Sequence, residues 1–286
     1  MKLGPVGLWS THFRYRDADE ARDAAALVDE LGYAALWIPG GVGGDVFSTV
    51  DRALAATSKL VVATGILNIW MHDPAEVAAS HAAVTAQYPG RFLLGLGVSH
   101  APLIEPRQQF EHPLQKMREY LDQLDPVVPQ GERVLAALGP KMLELARDRT
   151  AGSHPYNVTP EHTAYARGTL GSGPLLAPEQ KVMLETDPDK ARSTARAQLA
   201  LYFDLPNYRN NLLRTGFAED DFANGGSDRL IDGLVAWGDV DDIAARVREH
   251  HDAGADHVCL QVMTANPADV PVTEWRELAA ALLMRT

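Results

Sequence analysis

Residues 136–146 read Ala-Ala-Leu-Gly-Pro-Lys-Met-Leu-Glu-Leu-Ala, an apolar strand end that passes through Gly139 into a helix opened by Pro140. Proline suits the first helical position, where its missing N–H would have no partner in any case. The other first-turn amides point out of the helix start, the dipole there favours an anion, and Gly139 carries no side chain to block close approach. Lys141 adds a positive charge. The junction is either a phosphate-binding turn or a plain strand-to-helix connection, and the flanking segments bear on which.

Working outward, the same unit recurs. The chain opens with an apolar run from Leu3 to Trp9, followed by a helix with Asp17 as N-cap, Glu20 three residues on, and Gly32 just past its end. Ala34 to Ile38 is a continuous apolar run, the mark of a strand buried on both faces, and Pro39-Gly40-Gly41 closes it. A helix over about 46–57 leads to a strand over 60–66, and Asp73-Pro74-Ala75-Glu76 starts a helix that Pro89-Gly90 stops. Arg91 to Val98 is the fourth strand, Pro113 to Leu124 a helix, Val134 to Leu138 the fifth strand, and Pro140 to about Arg149 its helix. His154 to Val158 is a short sixth strand with a helix from Thr159-Pro160-Glu161; Lys181 to Glu185 is the seventh, with Asp187-Pro188 opening its helix. His257 to Val262 is the eighth, and Thr273 caps a last helix ending near Met284.

Eight strand-then-helix units with buried, non-alternating strands predict an α/β chain folded as a (β/α)8 TIM barrel. Two long connections predict insertions, one after strand four (residues 99–112) and one between strands seven and eight (residues 204–238). With no linker or low-complexity tract, residues 1–286 are expected to form a single domain. The net charge of -12 and pI near 5.2 disfavour nucleic acid and anionic membrane as partners. The single cysteine, Cys259, lies in an apolar run, which fits a reduced, cytoplasmic setting and a buried small hydrophobe. There is no run of 18 apolar residues and no signal-like start, so a soluble, unexported protein is expected.

A barrel of this kind places its chemistry at the C-terminal strand ends. That rule selects Trp9 and His12, Gly40 to Asp45, Gly65 to His72, Ser99 and His100, Leu138 to Lys141, and Thr159. The set is rich in glycine, aromatics and histidine and poor in clustered carboxylates, so no metal site and no two-carboxylate glycosidase is expected. His100 is the first candidate proton carrier, because it leaves a strand end and imidazole titrates near neutrality; His72 is the second. Trp9 and Trp70 either wall a pocket or pack the core, and Thr159 either meets a phosphate or caps its own helix. The run Leu205 to Asn211 either covers the substrate, packs on a partner subunit, or is an ordinary turn between helices.

Thr64-Gly65-Ile66-Leu67-Asn68-Ile69-Trp70 with Asp73-Pro74, Arg91-Phe92-Leu93-Leu94-Gly95-Leu96-Gly97, the 137–146 turn and Asp252-Ala253-Gly254-Ala255-Asp256 together resemble the luciferase-like monooxygenase superfamily. The coenzyme F420-dependent oxidoreductases are its nearest branch. The resemblance implies a homodimeric barrel with a deazaflavin, or alternatively FMN, across the mouth. Its phosphate would lie near Ala137, Leu138, Gly139, Pro140, Lys141, Met142 and Thr159, and its ring near Gly65, Ile66, Leu67, Asn68, Val98 and Ser99. It also implies a non-prolyl cis peptide at Gly65-Ile66. A small organic substrate would meet Trp9, His12, Gly40, Gly41 and Trp70. One departure stands out: a sugar-phosphate-oxidising branch carries a histidine after strand two, where this chain has Ile38-Pro39-Gly40-Gly41. A sugar-phosphate dehydrogenase is therefore disfavoured. Three functions follow: hydride transfer with F420, oxygenation with reduced FMN, or flavin binding without turnover.

Overall fold

The computed structural model describes residues 3–40, 44–106 and 109–283. Its strands are β1 (Val6–Trp9), β2 (Ala35–Ile38), β3 (Val61–Thr64), β4 (Leu67–Asn68), β5 (Phe92–Gly97), β6 (Arg133–Leu135), β7 (Gly152–Ser153), β8 (Leu175–Leu176), β9 (Glu179–Leu184), β10 (Val235–Gly238) and β11 (Val258–Val262). They form one sheet in the order β10-β9-β11-β1-β2-β3-β5-β6-β7-β8, with β4 paired to β5, and the pairings are parallel. β8 and β9 are two parts of one stretch broken at Ala177-Pro178. The Ala177 amide donates to the Ser153 carbonyl at 2.9 Å, and the Cys259 amide donates to the Pro178 carbonyl at 2.9 Å. That stretch meets β7 on one side and β11 on the other, so the sheet curls round on itself.

The α/β architecture on a parallel sheet agrees with the sequence reading, and its physical basis is local. β1, β2 and β3 are buried along their whole length, as unbroken apolar runs require. Several of the helices that cover the sheet start on aspartates: Asp17 accepts from the amides of Asp19 and Glu20, and Asp73 from those of Ala75 and Glu76, with Pro74 next in line. Asp187 caps the helix Pro188–Phe203 in the same way, and Asp239 with Asp242 forms a reciprocal capping box at Val240–Asp252. Among the described residues, no helix is long and apolar enough to cross a membrane.

Several expectations are corrected. The Gly65–Ile66 bond is trans, since the described residues contain no cis peptide. The chain leaves β3 there as an outward bend whose polar groups are paired: Gly65 N donates to Ile38 O at 2.8 Å, and Gly40 N donates to Ile66 O at 3.1 Å. The sixth strand is Gly152–Ser153 rather than His154 to Val158. Gly152 has φ 148°, and a Cβ there would lie 1.9 Å from the Leu175 carbonyl oxygen, so only glycine lets the neighbouring strand approach. Pro155 then removes a ladder donor, and Asn157 turns the backbone at φ 55°. The last helix is Val272–Leu282, with Pro271 rather than Thr273 at its N-cap. Its expected end near Met284 lies outside the described residues. β10 has no counterpart in the sequence reading; it pairs in parallel with β9, beyond the curled path. The 204–238 connection contains the helices Pro206–Arg214 and Asp228–Leu234.

Candidate active site

A cavity of about 380 Å³ opens where β1, β3, β5, β6 and β7 end. One wall is largely backbone. Gly65, Ile66 and Asn68 follow β3, Gly97 to His100 end and follow β5, and Ala136 to Gly139 with Met142 follow β6. Glycine is needed where this wall folds tightly: a Cβ on Gly65 would lie 2.6 Å from Trp9 Nε1, and one on Gly97 would lie 2.6 Å from Ile66 Cγ2. At Gly139, by contrast, a Cβ would meet nothing within 4 Å. The helix Pro140–Arg149 starts beside this open space, and its first backbone bond, Leu143 N to Gly139 O at 3.0 Å, leaves the preceding amides of the turn as donors. Behind it, buried His162 contacts the Leu138 carbonyl through Nε2 at 3.1 Å, and burial lowers its pKa to about 4.

One polar group of this wall is left open, and one residue is held in an uncommon backbone conformation. Asn68 is 4% exposed; its Oδ1 accepts from Trp70 N at 3.0 Å, while its Nδ2 is buried with no partner among the described residues. Ser99 sits at φ 58°, a left-handed conformation that costs a non-glycine residue free energy and that recurs where sites are held in shape.

The opposite wall is made of side chains. Tyr156 follows β7, Tyr202 comes from Pro188–Phe203, and Asn207 and Tyr208 come from Pro206–Arg214. His100 bridges the walls: its Nδ1 lies 2.8 Å from Asn207 Oδ1, and its ring centroid is 5.0 Å from that of Tyr208. With Asn207 Oδ1 accepting, the proton sits on Nδ1 and Nε2 keeps the lone pair. Burial lowers the His100 pKa, with the Asn207 bond opposing, so the ring is neutral at pH 7.

Beneath the tyrosines lies a buried ion pair. Lys181 Nζ is 3.0 Å from Glu179 Oε1, donates to Asn157 Oδ1, and stands 3.9 Å from the Tyr156 ring centroid; Lys181 and Glu179 are 3% and 1% exposed. Burial presses the ammonium pKa down, with Glu179 acting against it. The floor includes His154, stacked on Trp37 at 4.0 Å and bonded through Nδ1 to the Ala177 carbonyl at 2.7 Å. Burial lowers the His154 pKa to about 3. Cys259, also buried, approaches His154 Nδ1 at 3.8 Å, and burial raises its thiol pKa.

Of the residues selected from sequence, the cavity gathers Trp9, Gly65, Ile66, Asn68, Val98, Ser99, His100, Ala137, Leu138, Gly139 and Met142. The others lie elsewhere. Leu67 is buried in the β4 ladder opposite Leu96, and Pro140 and Lys141 are exposed on the outer side of the turn. Thr159 is buried without capping its helix, and its hydroxyl has no partner among the described residues. Gly40 packs on the Ile66 backbone, where a Cβ would come within 2.2 Å of the carbonyl oxygen. His12 contacts Ser10 Oγ at 2.9 Å, and the His72 carbonyl accepts from the Tyr120 hydroxyl at 3.1 Å. Trp70 donates to the Val98 carbonyl at 2.8 Å and lines a separate shallow depression with His112 and Lys116. Gly41 lies outside the described residues. The sequence reading does not select His154, Tyr156 or Tyr202, and it leaves Tyr208 among open alternatives; placing strand six at Gly152–Ser153 would have put His154 and Tyr156 at a strand end.

Comparison with known proteins bears out the family resemblance. Residues 5–134 match the family model described as luciferase-like monooxygenase. "Putative coenzyme F420-dependent oxidoreductase Rv3520c" of Mycobacterium tuberculosis is 23% identical, over 98% of this chain and 98% of that protein. Among solved structures, an F420-dependent secondary alcohol dehydrogenase in complex with an F420-acetone adduct superposes with a TM-score of 0.75 at 17% identity, covering 99% of each chain. The oxygenating constituent of 3,6-diketocamphane monooxygenase from Pseudomonas putida, in complex with FMN, gives 0.69 at 15% identity, covering 98% of this chain and 96% of that one. At these identities the two structures speak to the fold.

Proposed function

We propose that this luciferase-like chain is an oxidoreductase that exchanges a hydride between coenzyme F420 and a small organic substrate at the C-terminal mouth of an eight-unit barrel. The observation that carries this reading is the juxtaposition, in one cavity, of an unpartnered Asn68 amide, an open helix start at Gly139 and a neutral His100. Asn68 Nδ2 is a buried donor in search of an acceptor, which a deazaflavin or flavin ring provides; Gly139 and the following amides suit a phosphate. The residues therefore fit the group. When bound, F420 supplies a ring carbon that gives or takes a hydride. The chain's own part is to orient that ring against the bent Gly65-Ile66 backbone, to exclude water, and to move the accompanying proton. His100 Nε2 is the group placed for the proton: the lone pair takes it from a substrate hydroxyl during oxidation and returns it during reduction. In this reading the working form is a cytoplasmic homodimer of single-domain subunits.

The test is titration of the purified protein with oxidised F420 and, separately, with FMN. Micromolar or tighter binding of F420 alone is the expected result. The FMN monooxygenase reading draws on the FMN-bound structure that shares this fold. Selective FMN binding with oxygen uptake would replace the F420 reading by that one, and cofactor binding without turnover on a broad substrate panel would leave a binding protein.

A further inference from the structure

The wall facing the proposed cofactor side has a chemistry of its own. Tyr156, Tyr202 and Tyr208 form a cluster with centroid separations of 5.7, 6.2 and 5.5 Å, and Trp9 stands 5.2 Å from Tyr156. Two of the three hydroxyls are engaged: Tyr156 donates to Gln261 Oε1 at 2.9 Å and lies 3.2 Å from the Tyr202 hydroxyl. Tyr208 is different. It is 7% exposed, it lines the cavity, and its hydroxyl has no hydrogen-bond partner among the described residues. That hydroxyl opens on the cavity, so a ligand oxygen can take the place of water as its acceptor. Burial raises the pKa of each of the three phenols, so all remain protonated donors at neutral pH.

The same wall excludes charge. Among the described residues no Asp, Glu, Lys or Arg lines the cavity. The near cation, Lys181, lies under the Tyr156 ring and is already matched by Glu179 at 3.0 Å. A substrate carboxylate or phosphate at this wall would lose its hydration and gain no counter-ion. A planar apolar body, on the other hand, finds Trp9, Tyr156, Tyr202 and Tyr208 lining the cavity, rings that can pack against it.

We propose that Tyr156, Tyr202 and Tyr208 are a substrate subsite for an uncharged, flat, ring-bearing ketone or its alcohol, with the Tyr208 hydroxyl donating to the substrate oxygen. The subsite deepens the function proposed above and rests on it only in treating this cavity as the reaction site. The Tyr208 ring centroid lies 5.0 Å from that of His100, so an oxygen bound by Tyr208 is presented near the base that exchanges its proton.

Isothermal titration calorimetry of the full chain with 2-acetonaphthone, 2-ethylnaphthalene and 2-naphthoate separates the possibilities without turnover. The ketone is expected to bind at least about tenfold more tightly than the carboxylate. Tyr208→Phe is expected to weaken ketone binding by about five- to tenfold, the loss of one hydrogen bond, and to leave the hydrocarbon unchanged. Thermal melts and circular dichroism of the variant check that its fold is intact, and Tyr202→Phe, whose hydroxyl is engaged within the cluster, is expected to have the smaller effect on the ketone. Equal or tighter binding of 2-naphthoate, or a ketone affinity indifferent to Tyr208→Phe, would overturn the subsite. Ketone selectivity in a protein that ignores F420 would sink the F420 reading and leave the subsite standing; F420 binding without ketone selectivity would do the reverse.

Discussion

The two walls of the cavity are built on different terms. The wall from β3, β5 and β6 is backbone, glycine and a helix start, whereas the wall from Tyr156, Tyr202 and Tyr208 is side chain, mostly carried by helices of a long connection. Their supports differ too: His162 stands behind the first at the Leu138 carbonyl, and the Glu179–Lys181 pair lies under the second. In the backbone wall Gly65 and Gly97 have no room for a side chain, whereas Gly139 does. A side-chain wall can be recut residue by residue, and in the function proposed above it is the wall that meets the substrate.

The largest effect expected is acid loss of stability from four buried histidines, of which His162 supports the backbone wall and His154 the cavity floor. His154, His162, His250 and His257 have pKa values lowered by burial from 6.5 to about 3, 4, 3 and 4. The unfolded chain therefore takes up protons first as pH falls below 6.5; stability is fully present above that value and declines toward pH 4, by about 1.4 kcal/mol per pH unit for each histidine. Denaturant midpoints measured at pH 7 and pH 5 should show the fall, and identical midpoints would mean that these rings are not buried neutral.

Under the tyrosine wall, Lys181→Met leaves Glu179 buried without its cation and should cost about 3–5 kcal/mol. A denaturant melt of the variant checks this, and Lys181→Met with Glu179→Leu should recover much of the loss. Gly139→Asp should lower cofactor affinity by about 100-fold while leaving the melt unchanged, since a Cβ there meets nothing but the new carboxylate repels an anion. If the backbone wall does not hold the phosphate, calorimetry will show wild-type affinity. His100→Ala, at the seam, should lower turnover by about 100-fold with near-normal cofactor affinity. In the wild type the base form is lost only below pH 6.5, because burial depresses this ring, so the acid limb of the rate profile should lie under that value and vanish in the variant. The smallest effect is expected from Asn207→Ala, about threefold on turnover, because Asn207 acts only by fixing the ring.

The backbone wall was legible in the sequence for the same reason that it is backbone. Strand ends, glycines and a proline-started helix are local signals; they select Gly65, Asn68, Ser99, His100 and Gly139, which the cavity gathers. The tyrosine wall was not, because it depends on residue 156 meeting residues 202 and 208, a contact set by how the long connection folds back. A strand read over His154 to Val158 hides Tyr156 further, because the strand in fact stops at Ser153. Trp70 and His72 also follow strand three, but neither lines the cavity, and Trp70 lines a different depression.

Cys259 has a practical consequence. It is the chain's single thiol, fully buried, with ionisation suppressed by its surroundings. Maleimide chemistry on the native fold should therefore find no target, which makes the unmodified protein a silent background for labelling. A cysteine placed at exposed Asn210, on the helix that carries Tyr208, would take a dye at one site, next to the tyrosine wall.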